Sequence, residues 1–236
     1  MIKLEHVVLP SDEQMEFVIE GMRNPMSSWN KSDSSFRFDY DADAEYYDIG
    51  DADKQLMLKL SEAGTDHRKF MRMMPVYVRI TAPLYWWKEF DTYKIATVAN
   101  SCSTMHKIAS KPFTADNFSC EHLDQDGYDL LKAIISNLNR YRDIYINGGI
   151  IEYPDCGRKI FMPKDKAIWW QMIQLLPNSY NQTRNVMLNY EVLANIYKSR
   201  RNHKLDEWHT FCDWVETLPH SELIIGKPKD TDETLK

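Results

Sequence analysis

The chain has 236 residues, 43% of them hydrophobic and 27% charged, the ordinary composition of a globular protein large enough to bury a substantial core. Its formal net charge is −6, and its densest basic run, Lys198 to Lys204, is short. A general nucleic-acid-binding protein would carry a basic stripe, so we expect no nucleic-acid partner. No apolar run approaches the roughly 18 residues of a membrane-spanning helix, so we expect no membrane partner.

The four cysteines, at positions 102, 120, 156 and 212, do not form a Cys-x-x-Cys pair. Their spacing indicates free thiols in a reducing, cytoplasmic environment. The alternative is a zinc site at Cys120-Glu121-His122, but this spacing matches no zinc signature. We therefore expect no metal site.

The first quarter of the chain is predicted to contain two helices separated by a loop. Residues 11–24 begin with Ser11, a good N-cap, and place apolar residues at helical spacing. Residues 27–50 are polar, aromatic and acidic, which predicts a surface loop, with an ordered insertion as the alternative. Residues 51–63 form the second predicted helix, which ends at Gly64.

The next segment is predicted to be a strand followed by an aromatic helix. In residues 74–81, Val76, Val78 and Ile80 alternate with polar or aromatic side chains, which is the period of a strand. Pro83 is predicted to begin the helix, because the N–H that proline lacks would have no partner at a first helical position.

The rest of the chain is predicted to be mostly helical. Helices are predicted at 126–139, 164–176, 189–201 and 205–218, with a turn at 147–149 and a strand at 183–188. Together the elements predict an α+β protein with a single domain, residues 1–225, in which helices flank a mixed or antiparallel sheet. Residues 226–236 are predicted to be a loose, charged tail.

Two adjacent segments carry a resemblance to a known family. Residues 79–90 read Arg-Ile-Thr-Ala-Pro-Leu-Tyr-Trp-Trp-Lys-Glu-Phe, and residues 92–105 read Thr-Tyr-Lys-Ile-Ala-Thr-Val-Ala-Asn-Ser-Cys-Ser-Thr-Met. They resemble the signature region of flavin-dependent thymidylate synthases, whose pattern is R-H-R-x-x-S-x-N-E-x-S-x-R-Y. The resemblance extends to flanking residues at matching spacing, namely His67, Leu176-Pro177, Asn189, Asn195 and Arg200, and to His203 and Trp208, which are shifted by about one residue.

The resemblance implies the fold of the thymidylate synthase-complementing proteins and sites for dUMP and FAD. It also implies the family reaction, in which NADPH reduces the flavin and a methylene group from methylenetetrahydrofolate is transferred to C5 of dUMP. Enzymes of this family are homotetramers whose active sites gather residues from several subunits. We therefore expect a cytoplasmic homotetrameric flavoprotein with thymidylate synthase-type methyltransferase activity.

The resemblance also assigns roles to individual residues. Arg200 is the expected catalytic residue and would bind the pyrimidine ring, with Arg201 as the alternative if a gap falls earlier. The expected substrate-binding residues are Glu89, Asn100, Ser101, Cys102, Ser103, Arg200 and Arg201. The expected FAD-binding residues are His67, Lys94, Asn195 and His203.

Several family residues are replaced in this chain. Thr92, Tyr93 and Thr104 stand where the family has the first Arg, the His and the late Arg of the signature, and Arg72 stands where it has a Glu. Each charge-assisted contact is worth ~1.5–3 kcal/mol, so losing three without replacement would weaken nucleotide binding by several orders of magnitude. Either the cations Lys88, Lys94, Lys107 and Arg72 substitute, or the ligand differs. The lost arginines also motivate an alternative function, a catalytically inactive nucleotide-binding or regulatory protein on the same fold.

On the residues alone, each of these segments also has a structural interpretation. The guanidinium of Arg200 or Arg201 can bond two acceptors of a uracil or a phosphate, but it can also complement the negative end of a helix dipole. The run 100–104 can cradle a phosphate or cap a helix. Cys102, one helical turn before His106, is a weak candidate nucleophile.

Overall fold

The structure is a computed structural model, and it describes residues 2–153, 155–162 and 164–226. The strands are β1 (Lys3–Val8), β2 (Ser35–Asp39), β3 (Ala44–Asp48), β4 (Pro75–Pro83), β5 (Val98–Ser101), β6 (Gly149–Tyr153), β7 (Arg158–Met162) and β8 (Asn181–Asn189). The α-helices are α1 (Asp12–Arg23), α2 (Asp51–Glu62), α3 (Leu84–Phe90), α4 (Thr104–Lys107), α5 (Gln125–Asn147), α6 (Lys166–Leu175), α7 (Tyr190–Arg200), α8 (Asp206–Glu216) and α9 (Glu222–Ile225). Short 3-10 helices lie at Asn24–Met26, Trp29–Lys31, Arg68–Met73 and Ala115–Asn117.

The predicted α+β class, with antiparallel strands and flanking helices, is confirmed. A four-stranded sheet has the order β1-β4-β8-β5, and β2–β3 and β6–β7 form separate two-stranded sheets. The chain divides into two compact units. Unit 1 contains residues 81–90 and 100–184, and unit 2 contains residues 2–80, 91–99 and 185 onward. The charged tail predicted from residue 226 lies, apart from Gly226, outside the described residues.

Strands β4 and β8 run antiparallel and connect the elements that carry the candidate site residues. At one end Tyr190 N donates to Met74 O at 3.2 Å, and at the other Leu84 N donates to Tyr180 O at 3.0 Å. The strands predicted at 74–81 and 183–188 are confirmed, and each is longer than predicted. Pro83 ends β4, and the helix that it was predicted to begin starts one residue later.

Capping chemistry fixes the start of the helices that were predicted best. The Ser11 side chain accepts from Gln14 N, and the Gln14 side chain accepts from Ser11 N at 3.0 Å, which makes a capping box at the start of α1. Asn189 caps α7, because its Oδ1 accepts from Val192 N at 3.0 Å. These bonds satisfy N–H groups that have no partner inside the helix.

The prediction of a surface loop at 27–50 was wrong, and the alternative prediction, an ordered insertion, is confirmed. Strands β2 and β3 form an antiparallel hairpin in which Ser35 lies opposite Asp48. Most hairpin side chains are exposed on both faces, so the sequence shows no alternation between apolar and polar residues.

Two further segments differ from the prediction. The helix predicted at 126–139 continues to Asn147, where Gly148 ends it with a φ of 72°, a conformation that favours glycine. Residues 98–101 form the exposed strand β5, although Asn100 and Ser101 were expected in a polar run that cradles a phosphate or caps a helix.

Each unit has its own apolar core. In unit 1, α5 packs against α6, and a cluster of buried side chains comprises Ile108, Phe113, Phe118, Leu131, Leu138 and Met172. Trp86 and Trp87 are also fully buried, with Trp86 stacked on Phe90 at 5.0 Å, so this pair is core and does not offer a ring to a ligand. In unit 2, α7 packs against α8, α9 and the 68–73 helix.

A buried ionic network fastens the hairpin insertion to α1 and α2 in unit 2. Asp53 is 0% exposed and its Oδ1 accepts from Arg23 Nε at 2.6 Å. Its Oδ2 accepts from Ser32 Oγ at 2.6 Å and from Ser34 Oγ at 2.7 Å. The carboxylate is therefore satisfied on both oxygens, which a buried charge requires.

We predict that Asp53→Ala lowers the free energy of unfolding by about 3–5 kcal/mol, because it leaves the buried Arg23 without its carboxylate. Urea denaturation measures the change. Asp41→Ala, which removes an exposed carboxylate from the same insertion, should cost less than about 0.5 kcal/mol. A loss below about 1 kcal/mol for Asp53→Ala would contradict this view of the network.

Candidate functional site

A polar cleft of about 470 Å³ lies in unit 1, around the end of β5, helix α4 and the start of β8. Its lining residues are Thr81, Cys102, Ser103, Thr104, Lys107, Ile108, Ser110, Lys111, Asp116, Asn117, Tyr180, Asn181, Gln182 and Thr183. Of the predicted substrate loop, Cys102 and Ser103 line this polar cleft, whereas Asn100 and Ser101 belong to β5. Glu89 lies on α3 and is half-buried.

Hydrogen bonds of its backbone hold Cys102 against β8. Its N donates to Thr183 O at 2.9 Å, and its O accepts from Gln182 Nε2 at 3.1 Å. The next residue, Ser103, caps α4 by accepting from His106 N at 3.1 Å. The capping interpretation of this segment is therefore correct for Ser103, and the cap places Cys102 at the edge of the polar cleft.

The two amide side chains of the polar cleft are oriented to donate. Asn117 Oδ1 accepts from Thr114 N at 2.9 Å, and Asn181 Oδ1 accepts from Ser119 Oγ at 3.0 Å. Because each amide oxygen is engaged by the protein, the NH₂ group of each amide is the part that can serve a ligand. Neutral N–H donors of this kind suit an acceptor-rich ligand.

The charged groups of the polar cleft also suit a ligand that is rich in acceptors. Lys107 and Lys111 bring two cations to its wall, and Asp116 brings one carboxylate. Hydroxyl groups of Ser103 and Thr104 add further donors, whereas Ser110 Oγ donates to Lys107 O at 2.7 Å. Two ammonium groups with amide and hydroxyl donors are the chemistry that binds a phosphate ester.

Arg200 ends α7 in unit 2 with its guanidinium among aromatic side chains. Its Nε donates to Tyr93 Oη at 2.9 Å. Its guanidinium carbon lies 5.0 Å from the ring centre of Trp208 and 5.6 Å from that of Tyr93. These cation–π contacts orient a group that can form two parallel hydrogen bonds to a planar ligand.

Arg201, the alternative to Arg200, has a structural role. Its Nη1 donates to Asp213 Oδ1 at 2.5 Å, and its Nη2 lies 3.4 Å from Glu216 Oε1. The hydrogen bond to Asp213 is the largest of the contacts that raise the pKa of Arg201. Two carboxylates of α8 therefore meet the charge of Arg201.

The four predicted FAD-binding residues all belong to unit 2. His67 is exposed and precedes the 68–73 helix, and Lys94 is exposed in the segment after α3. Asn195 is exposed on α7, and its Oδ1 accepts from Arg68 Nη2 at 2.9 Å. His203 Nδ1 accepts from Leu205 N at 3.2 Å, so the other ring nitrogen, Nε2, is the one that can donate.

The chemistry of these residues fits the anionic part of a flavin dinucleotide. The segment from His67 to Arg72 carries three cations, and Arg68 joins it to Asn195 on α7. Guanidinium and amide donors are the groups that proteins use to bind phosphate oxygens. Unit 2 therefore contains donors suited to a phosphate, although Thr92 stands where the resemblance expects the first signature Arg.

Lys111, Asn117, Asn181, Arg68 and Glu191 are candidate functional residues that sequence reasoning missed. The spacing of Lys107 and Lys111, four residues apart, was a usable signal, but α4 is a single turn and was not predicted. The orientation of the two amides is set by Thr114 and Ser119 and has no sequence signature.

No protein-family model and no curated protein matches this sequence. Solved structures do match: thymidylate synthase X from Helicobacter pylori, with FAD and dUMP, has a TM-score of 0.59 and 14% identity over 95% of this chain and 96% of that chain. A second structure of the flavin-dependent enzyme from Helicobacter pylori, complexed with FAD and dUMP, gives a TM-score of 0.56 and 13% identity with the same coverage.

The UMP/dUMP methylase PolB from Streptomyces cacaoi, bound with 5-Br dUMP, has a TM-score of 0.52 and 14% identity over 92% of this chain and 89% of that chain. At such identities the similarity concerns the fold. The chain thus has the fold of the flavin-dependent thymidylate synthases, which the signature region and its flanks predicted.

Two classes of feature are absent from the described parts of the chain. No group of three or more His, Cys, Asp or Glu side chains is placed there to hold a metal ion, so Cys120 and His122 do not belong to such a group. Within the same ranges, no helix is both long enough and apolar enough to span a bilayer.

Proposed function

We propose that this protein binds dUMP or a related pyrimidine nucleotide and, with reduced flavin, transfers a one-carbon unit to C5 of the ring. The polar cleft carries this proposal, because its ammonium, amide and hydroxyl groups complement a nucleotide phosphate and it includes Cys102 and Ser103 of the expected substrate loop. The fold shared with enzymes solved with dUMP or 5-Br dUMP supports the pyrimidine base as the rest of the ligand.

The proposed reaction converts dUMP, methylenetetrahydrofolate, NADPH and a proton into thymidylate, tetrahydrofolate and NADP⁺. Reduced flavin would supply the reducing equivalents when bound. Arg200 is the proposed catalytic residue, since a guanidinium at the pyrimidine ring would stabilise negative charge that develops there when C5 acts as the nucleophile. Its hydrogen bond to Tyr93 and its contact with Trp208 hold it in one orientation for that role.

The remaining ligand residues are proposed by the same reasoning. Lys107 and Lys111 would hold the substrate phosphate, and Glu89 would contact the nucleotide. His67, Lys94, Asn195 and His203 would contact FAD. The proposal also includes a single thymidylate synthase-like domain over residues 1–225, a homotetrameric assembly and a cytoplasmic location, as the family resemblance implies.

A second candidate function is a nucleotide-binding protein without catalysis on the same fold. It is favoured by the uncharged residues Thr92, Tyr93 and Thr104 at three signature positions, together with the structural engagement of Tyr93 by Arg200. This candidate keeps the polar cleft as a nucleotide site and differs only in turnover.

We predict that purified protein binds FAD, and that it then oxidises NADPH only when dUMP and methylenetetrahydrofolate are present. The absorption spectrum of the flavin, before and after dUMP is added, measures binding, and NADPH absorbance measures turnover. Arg200→Lys keeps the charge but not the planar fork, so it should lower turnover by at least about tenfold. Binding of both ligands without NADPH oxidation would select the second candidate, and binding of neither would remove both.

Cys102 provides a direct probe of the polar cleft. We predict that dUMP slows alkylation of the exposed Cys102 thiol at pH 8 and does not slow alkylation of the exposed Cys156. Mass spectrometry of the two peptides measures both rates in one sample. The buried Cys212 should stay unlabelled in either case, because burial raises its pKa to about 11 and leaves roughly one thiol in a thousand ionised at pH 8. Equal protection of Cys102 and Cys156 would place the nucleotide elsewhere.

The two lysines of the polar cleft should distinguish phosphate from nucleoside binding. We predict that Lys107→Gln and Lys111→Gln each weaken dUMP binding by about tenfold, because each removes one charge-assisted contact. Deoxyuridine binding should change less than about twofold, since it lacks the phosphate. Calorimetric titration measures both ligands.

The matched control is Lys132→Gln, in which an exposed lysine of unit 1, ion-paired with Asp129, loses the same charge. It should bind dUMP as the wild-type protein does. If the three variants weaken dUMP binding equally, the effect is one of overall charge, and the phosphate does not lie in the polar cleft.

A further inference from the structure

A second cluster of phosphate-type donors lies in unit 2, between the 68–73 helix and α7. Glu191, near the start of α7, is only 7% exposed and receives two arginines. Arg72 donates to it through Nε and through Nη2, the latter at 3.2 Å to Oε1. Arg68 donates through Nε at 3.3 Å to the same oxygen and through Nη2 at 2.9 Å to Asn195 Oδ1.

The charge of this arginine cluster is not balanced by Glu191 alone. The hydrogen bond from Arg72 is the main reason that the pKa of Glu191 is lowered, so the carboxylate is ionised. Arg68 and Arg72 both pair with Glu191, so these pairs hold two cations and one carboxylate, and the adjacent residues Asp66 and Lys69 carry opposite charges. One positive charge remains, and Arg72 is 48% exposed to solvent.

The hydrogen-bond geometry also determines which atoms remain for a ligand. Both guanidiniums use Nε and Nη2 for their protein contacts, a side-on pairing that leaves Nη1 on the other side of each fork. Asn195 uses its oxygen for Arg68, so its NH₂ group is the part that can reach a ligand. The cluster thus offers donors and a net positive charge, which is the complement of a phosphate.

We propose that Arg68, Arg72 and Asn195 form a phosphate-binding site, composed of other residues than the polar cleft, that holds a phosphate of one of the nucleotide ligands. The ligand class named here rests on the proposed function, because that function requires FAD and a pyrimidine nucleotide. Both carry phosphate, and His67, next to Arg68, is among the residues expected to contact FAD. Glu191 is a positioning residue here, because it fixes the two forks and does not touch the ligand.

The test compares Arg72→Gln with Arg37→Gln, a matched control in which an exposed arginine of the β2–β3 hairpin, ion-paired with Asp48, loses the same charge. Each full-length variant is titrated with FAD and riboflavin, and with dUMP and deoxyuridine. We expect Arg72→Gln to weaken binding of one phosphorylated ligand at least about tenfold, with its phosphate-free counterpart changed less than about twofold. The ligand pair whose phosphorylated member binds more weakly identifies whether FAD or dUMP supplies the phosphate.

A separate titration tests the phosphate-binding site even if the protein binds neither FAD nor dUMP. Inorganic pyrophosphate is titrated into Lys107→Gln/Lys111→Gln protein with and without Arg72→Gln, so that the polar cleft does not contribute. Loss of pyrophosphate binding with Arg72→Gln supports the site even where the proposed function has failed. If pyrophosphate does not bind, or binds equally with and without Arg72, and no phosphorylated ligand responds, the site does not exist.

Loss of stability is the alternative explanation for any effect of Arg72→Gln, since Glu191 would lose a partner. The variant Arg72→Gln/Glu191→Gln also removes the carboxylate that lost its partner, and its melting temperature shows whether the fold is restored. Phosphate binding should remain weak in this double variant and should be partly recovered in Arg72→Lys. Recovery of binding together with stability in the double variant would mean that Arg72 acts only on the fold.

Discussion

The antiparallel pairing of β4 with β8 is the constraint on which the candidate sites depend. The first residues of β8 line the polar cleft, and its last residue, Asn189, caps the helix that carries Glu191, Asn195 and Arg200. A slip of one residue in this pairing would turn every side chain of β8 to the opposite face. Backbone hydrogen bonds at both ends of the pair, at Tyr180 and at Tyr190, oppose such a slip.

Phosphate recognition in this chain, as proposed, relies on residues other than those of the family signature. Three signature positions hold Thr92, Tyr93 and Thr104, which cannot neutralise a phosphate. The structure gathers cations elsewhere, with Lys107 and Lys111 in the polar cleft and Arg68 and Arg72 beside Glu191. Affinity depends on the number and geometry of charge-assisted contacts and not on the sequence positions that supply them, so a degenerate signature is compatible with a nucleotide site.

The sequence was sufficient to predict elements that bury one face, but it was not sufficient to predict elements that are mostly exposed. Helix α1 and strand β4 follow the 3.6-residue and two-residue periods, because one face of each packs into a core. Strand β5 and the β2–β3 hairpin are mostly exposed, so their sequences carry no such period. The polar cleft was only partly foreseen, because Lys111 and Asn181 are far apart in the sequence and only the fold brings them to one wall.

The choice between Arg200 and Arg201 shows why neighbouring residues of one type need not share a role. Arg201 faces two carboxylates of α8, so any ligand would compete with an existing ion pair. The contacts of Arg200 include a phenol hydroxyl and two aromatic rings, which orient its planar guanidinium. Tyr93, which supplies that hydroxyl, also packs against Trp208 within unit 2 and so anchors the segment 91–99. The orientation of Arg200 consequently depends on Tyr93, which stands where the resemblance expects the signature His, so the chemistry proposed for Arg200 is coupled to that replacement.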